Sequence, residues 1–232
     1  MIPLHDDNPT SIKPLVSIIF IVLCCLVYFW ESSLGSQVEQ AIYSLGVIPA
    51  ILLGSQSLPV EIAMIPAWLT IFTSMFMHGG WMHLGGNMLY LWIFGNNVED
   101  SMGHVKFVIF YILCGIAAVF AQVIPNPGST IPMVGASGAI SGVLGAYMLL
   151  YPHAKVLVLI PFGVFSRTMR ISALYVLVMW FGLQLFSSIG SGSQQGGVAF
   201  GAHIGGFIAG MLLIPFFRNK NFAINYPWNA YK

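Results

Sequence analysis

Six apolar stretches, each about the length that crosses a bilayer, constrain the fold of this 232-residue chain more than any other feature. Only 6% of the residues are charged and the mean hydropathy is +0.85, whereas a soluble domain carries about 25% charged residues. The sequence therefore predicts an all-α membrane protein in which residues 1–232 form one domain of six spans. The predicted spans are residues 15–30, 82–98, 105–124, 134–151, 171–189 and 198–217.

The first stretch has two interpretations, a retained helix or a signal peptide. The residues before it include Asp6, Asp7 and only one base, Lys13. That is a poor positively charged region for a signal peptide, and no A-x-A cleavage motif follows the stretch. We therefore expect a retained helix.

The basic residues separate cleanly between the connections that join the six stretches. None lies in the connections 31–80, 125–133 and 190–197. Lys and Arg favour the cytoplasmic side, so we expect a multi-pass cell-membrane protein with both termini in the cytoplasm. The last outer connection is rich in Gly, Ser and Gln, and is expected to be mobile. The eight basic residues are Lys13, Lys106, Lys155, Arg167, Arg170, Arg218, Lys220 and Lys232.

The first outer connection, residues 31–80, is long and semi-apolar. Its two apolar runs, residues 48–53 and 65–72, contain prolines and are too short to cross a bilayer. Such runs are typical of interfacial or re-entrant segments. We therefore expect a semi-embedded loop.

Four polar residues are expected at one depth below the outer face. His83 and Asn87 lie in the first turns of the second stretch, while Ser137 and His203 lie near the starts of the fourth and sixth. All three stretches run inwards, which places the four residues roughly 5–10 Å below the outer surface. A Ser next to a His forms a nucleophile and a base. Donors from His83, Asn87 and the Ser137 amide would suit an oxyanion.

Glycines recur in the fourth and sixth stretches at small-xxx-small spacing. Such spacing lets two helix backbones approach closely. The two stretches are therefore plausible neighbours, as a Ser137–His203 contact requires. The glycines are Gly135, Gly138, Gly142 and Gly145 in the fourth stretch, and Gly201, Gly205, Gly206 and Gly210 in the sixth.

The predicted orientation argues against other chemistries. Every lysine lies on the far side from Ser137, which disfavours a Ser–Lys dyad, and none of the seven acids is mid-span, as an aspartyl protease would need. No H-E-x-x-H motif is present, and a net charge of +1 gives no case for a nucleic-acid partner. A metal site or transporter that uses His78, His83 and His203 remains an alternative.

Three motifs carry a resemblance to the rhomboid family of intramembrane serine proteases, in its prokaryotic six-helix type. Residues 72–87 hold a spaced His, His, Asn pattern that continues through FGNNVED at residues 94–100. Residues 135–140 read GASGAI and resemble the family's nucleophile motif. Residues 202–206 read AHIGG and resemble its base motif.

The resemblance implies a serine endopeptidase that needs no cofactor and no metal. It implies that Ser137 is the nucleophile and His203 the general base of a catalytic dyad. His83 and Asn87 would hold the oxyanion, and His78 would organise the long outer loop. The implied partners are the lipid bilayer and transmembrane substrates cleaved near their outer ends. The implied location is a bacterial inner membrane, with the active site towards the outer face.

Two positions depart from the family pattern. Residues 67–69 read Ala-Trp-Leu, without the arginine that often follows this tryptophan, and Ser141 stands where members often carry an aromatic residue against the base. A hydrogen bond or a water could hold His203 instead. The alternative function is an inactive or weakly active relative that binds or escorts membrane proteins.

Overall fold

A computed structural model describes residues 1–162, 165–190 and 199–225 of the chain. Two predictions concern residues outside these ranges: the mobility of the connection 190–197, of which only residue 190 is described, and the cytoplasmic position of Lys232. The helices are α1 (Leu15–Ser33), α2 (Val38–Leu45), α3 (Pro49–Leu52), α4 (Thr70–Thr73), α5 (Trp81–Met102), α6 (His104–Val123), α7 (Ser137–Leu150), α8 (Ala173–Gly190) and α9 (Phe200–Phe217). The strands are β1 (Ile2–Asp6), β2 (Lys155–Phe162) and β3 (Phe165–Ser172).

Each predicted span coincides with one helix, with ends that differ by a few residues. Among the described residues, α1, α6 and α9 are long and apolar enough to cross a bilayer, and α7 and α8 are apolar over shorter lengths. The first apolar stretch forms helix α1. The chain is therefore a predominantly helical, multi-pass membrane protein.

The prediction of an all-α protein is wrong on one point, because three strands form a small antiparallel sheet in the order β1-β2-β3. Ile2 pairs with Leu159, and Lys155 pairs with Ser172. In β2 the alternate residues Val156 and Val158 are buried, which is the two-residue period of a half-buried strand. Each strand is too short to be predicted as a membrane span from its apolar length.

Helix α7 lies at the centre of the helical core. Every residue from Gly138 to Tyr147 is buried, so α7 is covered on all sides. Its tightest neighbour is α9, because a Cβ atom on Gly206 would overlap the carbonyl oxygen of Gly138. In the same way a Cβ on Gly210 would overlap the carbonyl of Gly142. The predicted close approach of the two glycine-rich helices is confirmed.

Two acids at the end of α5 fix the start of α1. Glu99 accepts hydrogen bonds from the amides of Val16 and Ser17, at 2.9 and 2.8 Å. Asp100 accepts from the amides of Ser11 and Ile12, at 2.9 and 3.1 Å. The first amides of a helix have no partner within it, so the Glu99 carboxylate acts as a cap of α1 from another element. Asp100 holds the segment that precedes α1. The two acids also join α1 to α5 at the end far from the predicted site.

The long connection between α1 and α5 folds as short helices around a second core. Val47, Ile71 and Met75 of this connection pack with Val119 and Val123 of α6. Val47 also pairs with Met133 in an isolated antiparallel bridge. The connection is thereby attached to the segment that leads into α7.

Candidate active site

One cavity brings together the four polar residues that the sequence placed at a common depth. The cavity measures about 860 Å³ and is lined by Ser137, His203, His83 and Asn87. Tyr90, Trp180 and Gln184 also line it. His78 is not among the residues that line it.

Ser137 is the first residue of α7, and the local backbone depends on Gly135. Gly135 has φ of +132°, a conformation that side-chain-bearing residues rarely adopt. A Cβ there would lie 2.8 Å from His83 Nε2 and 3.5 Å from Ser137 Oγ. A glycine at this position therefore lets the imidazole and the hydroxyl approach the same piece of backbone.

His203 lies in the first turn of α9, next to the start of α7. A Cβ on Gly138, the residue after Ser137, would lie 3.8 Å from the carbonyl oxygen of Ala202, the residue before His203. Among the described residues no hydrogen bond joins the Ser137 hydroxyl to His203 directly. Such catalytic bonds are often long until the substrate binds.

The His203 ring forms a hydrogen bond with Gln184, a residue that the sequence did not single out. Its Nδ1 lies 2.8 Å from Gln184 Oε1 on α8. An amide oxygen only accepts, so Nδ1 carries the proton and donates it, and Nε2 is left as an acceptor. A signal for Gln184 was present, since it is the one amide side chain in the predicted span 171–189.

His83 and Asn87 present donors to the same cavity. His83 Nδ1 accepts a hydrogen bond from the Gly79 amide at 3.3 Å, so the ring proton is on Nε2, which would lie 2.8 Å from a Cβ on Gly135. Asn87 is buried one turn further along α5, and its Nδ2 atom bonds no acceptor among the described residues. With the free amides at the start of α7, these groups suit a developing negative charge.

Ser141 does not reach the imidazole. Its hydroxyl donates to the carbonyl oxygen of Ser137 at 2.6 Å, one turn back along α7. This is the usual structural bond of a serine within a helix. The contacts to the His203 ring come instead from Gln184 and Trp180 of α8 and, edge-on at 6.4 Å, from Phe200 of α9.

His78 lies behind the cavity, in the turn before α5. Its amide donates to Glu31 Oε2 at 3.1 Å, and its ring packs edge-on against His83 with centroids 5.2 Å apart. Burial lowers the pKa of His78 to about 4, so the ring is neutral at physiological pH. His78 thus connects the end of α1 to the turn that presents His83.

The alternative of a zinc site or transporter that uses His78, His83 and His203 gains no support. Throughout the described part of the chain, no three His, Cys, Asp or Glu side chains cluster as metal ligands would. His203 Nδ1 is instead bonded to Gln184.

Comparison with known proteins bears on this arrangement. A family model described as the rhomboid domain matches residues 66–220, which is more than half of the chain and includes the whole cavity wall from α5 to α9. This chain belongs to the rhomboid family. The resemblance inferred from its motifs is confirmed.

Three curated relatives illustrate the family. The chain is 33% identical over 151 residues to "Rhomboid protein 1, mitochondrial" of Saccharomyces cerevisiae, an alignment covering 62% of this chain and 40% of that protein. It is 29% identical over 199 residues to "Rhomboid protease GluP" of Bacillus subtilis, covering 85% of this chain and 34% of that protein. It is 29% identical over 231 residues to "Rhomboid protease AarA" of Providencia stuartii, covering 90% of this chain and 78% of that protein. The first two matches span less than half of those relatives' length.

Proposed function

We propose that this chain is an intramembrane serine endopeptidase in which Ser137 is the nucleophile and His203 is the general base. The observation that carries the proposal is the single cavity in which Ser137 meets a histidine with a free Nε2. Two further donors, from His83 and Asn87, face the same space. The family includes proteases, and two of the relatives above are named as such.

The proposed chemistry is acyl transfer. His203 Nε2 takes the proton from the Ser137 hydroxyl as the oxygen attacks the scissile carbonyl. The carbonyl oxygen becomes an oxyanion that His83, Asn87 and the Ser137 amide stabilise. His203 then gives its proton to the leaving amine, and an acyl-enzyme remains. Water completes the reaction by the same route, which returns the proton to Ser137.

The proposed substrate is a transmembrane helix that is cleaved near its outer end. An intact helix is about 10–12 Å wide with its side chains, and its carbonyl groups are hydrogen-bonded along its axis. The scissile peptide must therefore unwind before its carbonyl reaches Ser137 in a half-buried site. Substrates with small or helix-breaking residues at this point should unwind at the lowest cost.

The proposed topology has six spans, both termini in the cytoplasm and the site near the outer face of a bacterial inner membrane. Its support is the position of the site residues along their helices. His83, Ser137 and His203 all lie within the first four residues of α5, α7 and α9. Lys106, Lys155 and Arg218 flank the opposite helix ends, and basic residues favour the cytoplasmic side.

The alternative, an inactive binding or escort protein, rested on Ser141 in place of an aromatic residue. Gln184 and Trp180 supply contacts to His203 from α8, so this departure no longer favours an inactive protein.

A fluorophosphonate probe tests the proposal, because it reacts with an activated serine. Wild type should be labelled, and Ser137→Ala should not be labelled because the attacking oxygen is gone. His203→Ala should lose labelling by about 100-fold or more, the scale of a lost general base. Ser141→Ala is the matched control, since it removes a serine hydroxyl one turn away that only bonds backbone. Labelling that persists in Ser137→Ala would contradict the assignment.

A further inference from the structure

We propose that Gln184 is the positioning residue of the general base, so that helix α8, and not α7, orients His203. This inference rests on the proposed function, since it assigns a role within the same site. Its starting point is the 2.8 Å contact between Gln184 Oε1 and His203 Nδ1.

The contact with Gln184 determines which nitrogen of His203 can accept a proton from Ser137. A neutral imidazole carries one proton, and the partner of one nitrogen decides the role of the other. With Gln184 accepting from Nδ1, Nε2 has a lone pair and can take the serine proton. Without that acceptor the proton can move to Nε2, and the ring can rotate, and either change disables the base.

A second side chain on α8 restricts the ring. Trp180 precedes Gln184 by four residues, so both project from one face of α8. The Trp180 ring lies 5.9 Å from the His203 ring, centroid to centroid, at an interplanar angle of 37°. Trp180 therefore limits the tilt of the imidazole while Gln184 sets its rotation and its tautomer.

Helix α7 offers His203 no equivalent contact. Ser141, one turn after Ser137, donates its hydroxyl to the Ser137 carbonyl. The base is thus held from α8, which covers the cavity from the side.

The half of α8 that holds the base contacts α9 through Trp180 and Phe181, whose rings lie against Phe207. Among the described side chains of α8, the buried ones are Ala173, Val176 and Leu177, near its start. From Val178 to Ser188 no described side chain is buried. Gln184 can therefore orient the base only while this half of α8 stays in contact with α9. A shift of α8 away from α9 would separate Gln184 Oε1 from His203 Nδ1.

The test compares Gln184→Leu, Gln184→Glu and Leu183→Ala in the full chain reconstituted in liposomes. Leucine keeps much of the volume but accepts no hydrogen bond, whereas a glutamate oxygen can accept the same proton. Leu183 is exposed on the same turn of α8 and serves as the control. We expect Gln184→Leu to lower kcat about tenfold or more with KM unchanged, since a misoriented base affects the chemical step. Gln184→Glu should retain most of the rate.

Nitrogen-15 NMR of labelled histidine provides a readout that does not depend on activity, with His203→Asn used to assign the signal. The neutral His203 ring should carry its proton on Nδ1 in wild type and in Gln184→Glu, and lose this preference in Gln184→Leu. A proton on Nε2 in wild type, or an unchanged tautomer and kcat in Gln184→Leu, would overturn the proposal. If wild type is not labelled by fluorophosphonate, the proposed function fails, while the tautomer still decides the role of Gln184.

Discussion

At the scale of single residues, the geometry of the candidate site depends on one backbone position as well as on its side chains. Gly135 combines φ of +132° with a place where a Cβ would lie 2.7 Å from His83 Cε1. Its amide also donates to the Ser74 carbonyl at 2.8 Å, which ties it to the segment before α5. The relative positions of Ser137 and His83 are therefore set by a residue with no side chain.

Gly135→Ala should damage the site far more than the fold. A strained backbone costs about 1–3 kcal/mol, and the new Cβ also displaces the His83 ring that is proposed to donate to the oxyanion. We expect fluorophosphonate labelling to fall by about 100-fold, the cost of losing one such donor. Gly85→Ala is the matched control, because a Cβ there meets no atom within 4 Å. Equal labelling in the two variants would contradict this role of Gly135.

That the four predicted site residues line one cavity could be expected from sequence, because each lies in the first turns of its helix. Gln184 could not be found by the same reasoning, because it lies in the second half of α8 and not near its start. Gln184 is the twelfth residue of the eighteen in α8, towards the end that meets the cavity. To place Gln184 at the same level as the other cavity residues, the direction in which α8 runs must also be taken into account.

At the scale of secondary-structure elements, the unpredicted sheet joins the start of the chain to the central helix. Asp6 of β1 is buried and accepts a hydrogen bond from Tyr147 of α7 at 2.5 Å. Strand β1 pairs with β2 across about 150 residues of sequence. No local pattern encodes a pairing of that length, which is why sequence reasoning identified the helices but not the sheet.

The buried Asp6 carboxyl should make stability fall as pH rises. Burial raises its pKa from 3.8 to about 7, so the folded state favours the protonated form. The stabilisation is complete below about pH 4, where the unfolded chain is also protonated, and is lost as pH rises through 7. A shift of this size corresponds to at most about 4 kcal/mol.

Thermal unfolding in detergent between pH 4 and 8 measures this effect. The wild-type midpoint should decrease across the range, whereas Asp6→Asn, which stays neutral, should show a flatter profile. Parallel profiles for the two proteins would exclude Asp6 as the titrating group.

At the scale of the whole molecule, a rigid helix pair carries one half of the candidate site and lighter elements carry the rest. Helices α7 and α9 meet backbone to backbone through Gly138, Gly142, Gly206 and Gly210, which fixes the starts of both helices. In the second half of α8 no described side chain is fully buried. In such a site, α7 and α9 can keep Ser137 and His203 at a constant separation while α8 moves to admit a substrate.

Cleavage of a transmembrane reporter in proteoliposomes tests the central claim most directly. The reporter carries a helix with small residues near its outer end, and mass spectrometry of the two products locates the cut. We expect one cut near that end by wild type and by Ser141→Ala, and none by Ser137→Ala or His203→Ala. Equal cleavage by wild type and Ser137→Ala, or no cleavage by a wild type that retains its fold across several reporters and lipids, would contradict it.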